Sequence, residues 1–271
     1  MFEKRRGDML QCPKCKGKLH KEEKVYACEA HHSFDIAKSG YCNLLLDNRK
    51  STGDDKDMIR SRTAFLSEGH YAPLKERIIE ILSQLFVHTL VDAGCGEGYY
   101  TNDIKRRIPS MDVWGFDLSK SAVAAASRQK SGVHYFVASV SDLPLKCACM
   151  DAVLSIFAPV YEEENYRILK PSGYFLKVEP GPQHLLGLKK ALYDTVYENE
   201  AAAMSYPHFR LIREEMLDYE IQLSSGESIR SLFRMTPYYW KTSREAVQRL
   251  YARQCLTTRV QFHLELYQKE D

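Results

Sequence analysis

From residue 88 onward the chain alternates short apolar runs with amphipathic stretches. HTLVDA (88–93), MDVWGFD (111–117), HYFVAS (134–139), MDAVLSIF (150–157) and YFLKVEP (174–180) have the length and content of buried strands. Between them YYTNDIKRRI, KSAVAAASRQ and ENYRIL carry helical spacing, and RILKPSG reads as a helix stop, proline then glycine, feeding the next strand. Strands alternating with helices predict an α/β fold with a doubly wound, mostly parallel sheet. Two longer strands, YEIQLSS and LTTRVQFHLELY, are separated by the helical stretches SIRSLFRM and REAVQRLYA. They predict a terminal antiparallel pair, which brings the sheet to seven strands and departs from the dehydrogenase layout.

Upstream, MIRSRTAFLSEGHYAPL (58–74) has helical spacing ending at Gly69. A second helix starts near Pro73, with Ile78, Ile79, Leu82, Leu85 and Phe86 as its apolar positions. Before these lies DNRKSTGDDKD (47–57), polar and turn-rich, read as a mobile or RNA-facing linker. The expected organisation is a metal-binding module at 1–46, a linker and helix at 47–72, and an α/β domain at 73–271.

Composition adds one asymmetry. Residues 1–50 hold 11 Lys/Arg against 7 Asp/Glu, whereas the remainder holds 27 against 29. A basic module beside a near-neutral domain fits polyanion binding, because Lys and Arg displace counterions from phosphates. No stretch approaches the roughly 18 apolar residues of a membrane span, and the N-terminus lacks the apolar run of a secretory signal. A cytoplasmic protein with no membrane partner is expected.

Cysteine placement supplies the first candidate chemistry. Cys12-Pro-Lys-Cys15 is followed by Cys28-Glu-Ala-His31-His32. A C-x-x-C turn presents two thiolates on one loop, and a second pair completes a tetrahedron around Zn²⁺. That pair is Cys28 with His32 or His31; His32 is favoured, which leaves His31 at the surface near phosphate. KVYAC and HHSFDIA read as paired strands of a small ribbon whose folding depends on the metal. Four protein ligands make the zinc structural. Cys42, Cys95, Cys147, Cys149 and Cys255 are scattered in apolar or loop contexts.

The second candidate is Leu90-Val-Asp-Ala-Gly-Cys-Gly-Glu-Gly98, an apolar strand running through Gly94, Gly96 and Gly98 into a helix. Glycines let backbone approach a ligand at the carboxyl edge of a parallel sheet. Asp92 stands two positions before the first glycine, and the spacing is G-x-G-x-G, not the G-x-G-x-x-G of dinucleotide enzymes. The second strand ends in Asp117, placed to accept both hydroxyls of a ribose, and Asp142 lies in the loop after the third.

With VDAGCGEG, Asp117 and RILKPSG in order, the region from about residue 88 resembles the class I S-adenosylmethionine-dependent methyltransferases. Adding CPKC, CEAHHSFDIAKSGYCNLL, FLSEGHYAPL, FAP and PGPQHL, nearly the whole chain resembles the large-subunit (23S) ribosomal RNA guanine-N1 methyltransferases, which include tylosin-resistance members. The resemblance implies zinc on Cys12, Cys15, Cys28 and His32. It implies contacts to S-adenosylmethionine from Tyr71, Asp92, Gly94, Gly96, Glu97, Gly98, Tyr99, Asp117, Asp142 and His184. It further implies a homodimer whose paired modules line a cleft for an RNA hairpin, with a bearing on antibiotic resistance.

Methyl transfer from a sulfonium is mainly a matter of positioning, but guanine N1 must lose a proton. Glu179 and His184 are weak candidates for that base. Phe157-Ala-Pro159 stands where adenine-amino methyltransferases carry Asn/Asp-Pro-Pro-aromatic, which argues against exocyclic-amine chemistry. His134 reads as structural. Tyr238, Tyr239 and Trp240 are candidates for stacking on an extruded base, with core packing the stronger expectation. Two competing readings are a methyltransferase of a small metabolite and a zinc-ribbon RNA-binding protein without turnover. The basic zinc module argues against the first, and the intact glycines with Asp117 against the second.

Overall fold

The computed structural model describes residues 9–46, 56–199 and 206–270. Nearly all of the expected linker, residues 47–55, lies outside them. The first described segment folds into β1 (His20–Lys21), β2 (Val25–Ala27) and β3 (Ser33–Asp35), a three-stranded antiparallel sheet in which Val25 faces Asp35. This is the pairing expected of KVYAC and HHSFDIA.

Two helices follow, α1 (Lys56–Ser67) and α2 (Ala72–Gln84). Gly69, at φ +84°, makes the corner between them, and proline in the first turn of α2 needs no N–H partner there. Leu74, Ile78, Ile79, Ile81 and Leu82 line the buried face of α2. Phe86 was expected on that face but is 99% exposed. Leu85 has already turned to extended backbone (φ −93°, ψ 142°), so the helical phase that would bury Phe86 is lost.

The main sheet contains β5 (Thr89–Ala93), β6 (Asp112–Asp117), β7 (His134–Val137), β8 (Met150–Ile156), β9 (Leu169–Pro180), β10 (Phe209–Leu223) and β11 (Leu256–Lys269). Its order is β10-β11-β9-β8-β5-β6-β7-β4, where β4 is Cys42–Asn43. Strand β11 runs antiparallel to both of its neighbours, and the remaining pairs are parallel. Along β11, Val260, Phe262, Leu264 and Leu266 are buried in the same core as α2. The chain builds outward from β5 in both directions, so β5 and β8 flank the switch point whose carboxyl-end crevice binds ligands in open α/β sheets.

The sheet has eight strands where seven were expected. The extra one, β4, comes from the N-terminal segment: Cys42, fully buried, lies opposite Phe136 on the otherwise open edge of β7. The N-terminal module also shares a core with the large domain. Leu10, Leu19 and Tyr26 are buried in one cluster with Trp114, Phe116, Phe136 and Leu145. Backbone bonds tie Gln11 N to Pro144 O (2.9 Å) and Lys146 N to Met9 O (2.9 Å).

Helices α3 (Tyr99–Arg107), α4 (Lys120–Ser127), α5 (Glu162–Ile168), α6 (Leu186–Leu192), α7 (Gly226–Arg234) and α8 (Arg244–Tyr251) connect the strands. In RILKPSG, strand β9 begins at Leu169 directly after α5. The Lys170–Gly173 turn is then extruded between the pairs Met150–Leu169 and Ala152–Tyr174.

Candidate functional site

The four expected zinc ligands converge. The Cys12 and Cys28 sulfurs each lie 3.5 Å from His32 Nδ1, Cys15 Sγ is 3.7 Å from Cys28 Sγ, and all four ligand atoms fall within 4.8 Å of one another. Zn–S bonds of about 2.3 Å and Zn–N bonds of about 2.0–2.1 Å imply tetrahedral edges of about 3.8 Å between sulfurs and about 3.6 Å from sulfur to nitrogen. The set therefore fits zinc with four protein ligands and no open position. His31 is exposed, and its left-handed backbone (φ +61°) turns the chain so that His32, not His31, faces the thiolates. Cys28 N donates to His32 O (3.0 Å) and closes that turn.

The second site is at the end of β5. Gly94, Gly96 and Gly98 all have positive φ (92°, 53° and 79°). A Cβ on Gly94 would lie 2.5 Å from Ala158 Cβ, and one on Gly98 would meet Asn102 Nδ2 and Tyr135 Oη. Neither position accepts a side chain, and bare backbone is left facing the crevice. The N–H groups of Gly94 and Cys95 donate to Phe116 O (2.8 and 3.0 Å), seating the loop on β6. Asp117, at the tip of β6, joins it: Gly96 N donates to Asp117 Oδ2 (2.9 Å) and Ser119 N to Oδ1 (2.7 Å). Each carboxylate oxygen keeps acceptor capacity for a ribose hydroxyl.

Asp92 is buried beneath the loop. Thr101 Oγ1 donates to its Oδ2 (2.5 Å), while Oδ1 is buried without a hydrogen-bond partner. Burial pushes its carboxyl up to about 7, the Asp117 and Glu97 carboxylates add to this, and the Thr101 bond opposes it. A buried acceptor beside a cradle of backbone fits a ligand that brings its own positive charge and N–H donors, as S-adenosylmethionine does. Glu97, also buried, accepts from Arg62 Nε of α1 (2.6 Å), and the Arg62 guanidinium lies over Gly96. The basic partner from α1 had no signal in the sequence, because Arg62 and Glu97 stand 35 residues apart.

Tyr71 and His184, 113 residues apart, meet in the core: Tyr71 Oη is 3.3 Å from His184 Nε2. Both are buried, with the Phe262 ring 4.9 Å from Tyr71 and 5.0 Å from His184. His184 Nδ1 faces the Gln261 backbone, 3.0 Å from its oxygen and 3.2 Å from its nitrogen. Burial holds the imidazole down to about 4, Lys189 adding to the effect, so it is neutral at physiological pH.

The remaining expected residues are dispersed. The Tyr99 ring lies under Lys75 Nζ (4.5 Å), toward α2. Asp142 is exposed and held by Lys16 of the ribbon at 2.9 and 3.0 Å, so the structure places it at the junction of ribbon and core. Glu179 pairs with Lys177 Nζ (2.9 Å), which also binds Glu265. His134 Nε2 is 3.0 Å from Asp112 Oδ1, next to the Trp114 ring. Tyr238 packs on Tyr193 and Tyr239 on Phe233, whereas Trp240 is 64% exposed.

Residues 10–52 match the family model described as RlmA, N-terminal, and residues 90–173 match a methyltransferase domain. A 23S rRNA (guanine(748)-N(1))-methyltransferase of Streptomyces fradiae is 33% identical over 240 residues, 85% of each chain. Bacillus subtilis YxjB, provisionally named for 23S rRNA guanine-N1 methylation, is 30% identical over 264 residues, covering 89% of this chain and 90% of its own. A solved Bacillus halodurans protein described as a methyltransferase superposes with a TM-score of 0.51 at 16% identity, over 73% of this chain and 99% of its own, a likeness of fold alone. No helix among the described residues is long and apolar enough to cross a membrane.

Proposed function

This chain belongs to the family of 23S rRNA (guanine-N1)-methyltransferases, and we propose that it performs that reaction, transferring a methyl group from S-adenosylmethionine to N1 of a guanine in a hairpin loop of 23S ribosomal RNA. The observation that carries the reading is the docking of a Lys-rich zinc ribbon onto the same sheet that holds the donor crevice. One folded unit thus carries a polyanion-binding surface and a methyl-donor site on a shared core. Bound in the crevice, the donor supplies an electrophilic methyl group on a cationic sulfur.

The protein's part is to bind and orient. Asp117 would accept the ribose hydroxyls, the Gly94–Gly98 backbone would hold the donor's amino-acid end, and Asp92 would offer a counter-charge to it. Tyr71 and the neutral His184 pair in the buried layer against Phe262. Glu179 is paired with Lys177, and His184, held near 4 by burial, is a weak base. We assign the rate enhancement chiefly to alignment of N1, methyl carbon and sulfur. The ribbon's lysines, with exposed His31, hold the hairpin by its phosphates. The reading extends to a cytoplasmic homodimer with one ribbon from each subunit along the RNA, and to altered susceptibility to antibiotics that bind the ribosome.

The test is incubation with labelled S-adenosylmethionine, 23S RNA lacking the modification and a metabolite extract. Label recovered as 1-methylguanosine in RNA supports the proposal. Label in small molecules would replace it with a metabolite methyltransferase, and donor binding without transfer would replace it with a non-catalytic RNA-binding protein.

A further inference from the structure

Strand β8 is followed by a residue the donor site does not use. Phe157 adopts left-handed backbone (φ +54°), yet it is neither glycine nor asparagine, and its ring is 43% exposed. The conformation is imposed from both sides. Phe157 N donates to Val178 O of β9 (3.0 Å), and Ser155 Oγ donates to Ala158 O (3.3 Å). Ala158 is the residue whose Cβ fills the space beside Gly94, so the turn lies directly against the donor loop. One side of the Phe157 ring is backed by Phe262 (5.8 Å between centroids) and His184 (6.3 Å). The residue stays 43% exposed just past the carboxyl end of β8.

A β-strand that continued regularly past Ile156 would bury this side chain or turn it along the sheet. Keeping a large apolar ring half in water, in a disfavoured backbone region, is a local cost that the surrounding bonds enforce. Among the described residues, the other exposed aromatic residues are Phe86 after α2, Tyr161 at the start of α5, Tyr197 after α6 and Trp240 between α7 and α8. Phe157 adjoins the donor loop.

We propose that Phe157 is the platform on which the acceptor base stacks, setting the plane of the guanine so that N1 meets the methyl carbon in line. A π-face offers contact to an unstacked base without demanding a hydrogen-bond pattern. The backing by Phe262 and His184 fixes the ring plane, which is what an in-line transfer requires of its acceptor. The inference rests on the guanine-methylation reading above.

The test uses the full-length zinc-loaded protein, a 23S hairpin transcript, and the same hairpin with 2-aminopurine at the methylated position. Phe157→Leu is expected to lower kcat at least 30-fold and to leave the donor Kd within twofold. Phe157→Trp should keep most of the rate, and Phe86→Ala should match the wild type. Wild-type protein should quench the 2-aminopurine fluorescence on binding; Phe157→Leu should bind the hairpin with the quenching lost. Unchanged kcat and quenching in Phe157→Leu, beside an active wild type, would overturn the platform and leave the proposed reaction standing. Loss of donor affinity in parallel with rate would also overturn it, because Phe157 would then be part of the donor site. If the wild type methylates no RNA, the underlying reading has failed instead.

Discussion

Zinc holds more than its own ribbon. Cys28→Ser, or removal of the metal by a chelator, opens a site whose apparent binding free energy in small zinc domains is about 10–16 kcal/mol, comparable to the roughly 5–15 kcal/mol stability of an ordinary domain. The ribbon's own strands are two or three residues long and bury little among themselves. It instead contributes fully buried Leu10 and Leu19 to a core shared with β6 and β7. Burying a leucine is worth about 1.5–3 kcal/mol, so releasing these two costs the large domain roughly 3–6 kcal/mol, before the Tyr26 contact on Phe136 (5.6 Å) is counted. For a chain of this size that corresponds to a fall in Tm of about 5–10 °C. Scanning calorimetry of wild type, wild type with chelator and Cys28→Ser should show one cooperative transition with zinc, displaced downward without it. Donor titration at 20 °C should still detect binding in the metal-free protein, since the crevice itself holds no zinc ligand. A main transition unmoved by loss of the metal would refute the shared-core argument and make the ribbon an independent appendage.

Asp117→Ala removes two charge-assisted acceptors at the ribose, each worth about 1.5–3 kcal/mol. Donor affinity measured by calorimetry should fall at least 100-fold with the far-ultraviolet circular dichroism unchanged, and wild-type affinity would remove Asp117 from the site. Gly94→Ala forces a Cβ to 2.5 Å from that of Ala158 at φ +92°; the loop must shift, and donor Kd should rise at least tenfold while Tm falls by several degrees. Asp92 gives a pH signature. Its carboxyl is raised to about 7 in the donor-free protein, so below that pH a cationic donor must expel a proton to bind. Affinity should therefore rise about tenfold from pH 6 to pH 8, with proton release visible in buffers of different ionisation enthalpy; Asp92→Asn should flatten this dependence, and a flat wild-type profile would contradict it. The same raised value means the folded protein holds a proton that the unfolded chain has lost between about pH 4 and 7. Donor-free stability should thus decline across that window in the wild type and less in Asp92→Asn, as read from denaturant midpoints.

Much of this was written locally. Apolar runs of period two and amphipathic runs of period 3.6 set out β5 to β9 and the helices between them, because each element must bury one face whatever surrounds it. C-x-x-C, the glycine loop and the carboxylate at the tip of β6 were legible for a similar reason: a metal turn and a close backbone approach each constrain a few adjacent residues. Local pattern misled at Phe86, where the helix ended two residues short of the apolar series. What the tertiary structure decided are the long-range meetings. It chose His32 over His31 by the handedness of one turn, and drew Cys42 onto the edge of β7 as an eighth strand. Asp142 went to Lys16 at the ribbon, Arg62 came to Glu97 over the loop, and Tyr71 was set against His184. Apart from His32, which was already the favoured ligand, none of these is encoded by spacing, because the partners stand from 35 to more than 100 residues apart and come together only after the sheet and its shared core have formed. The strained turn at Phe157 belongs with them: its backbone is held by Val178 and its neighbour by the glycine loop, contacts that exist only in the folded chain.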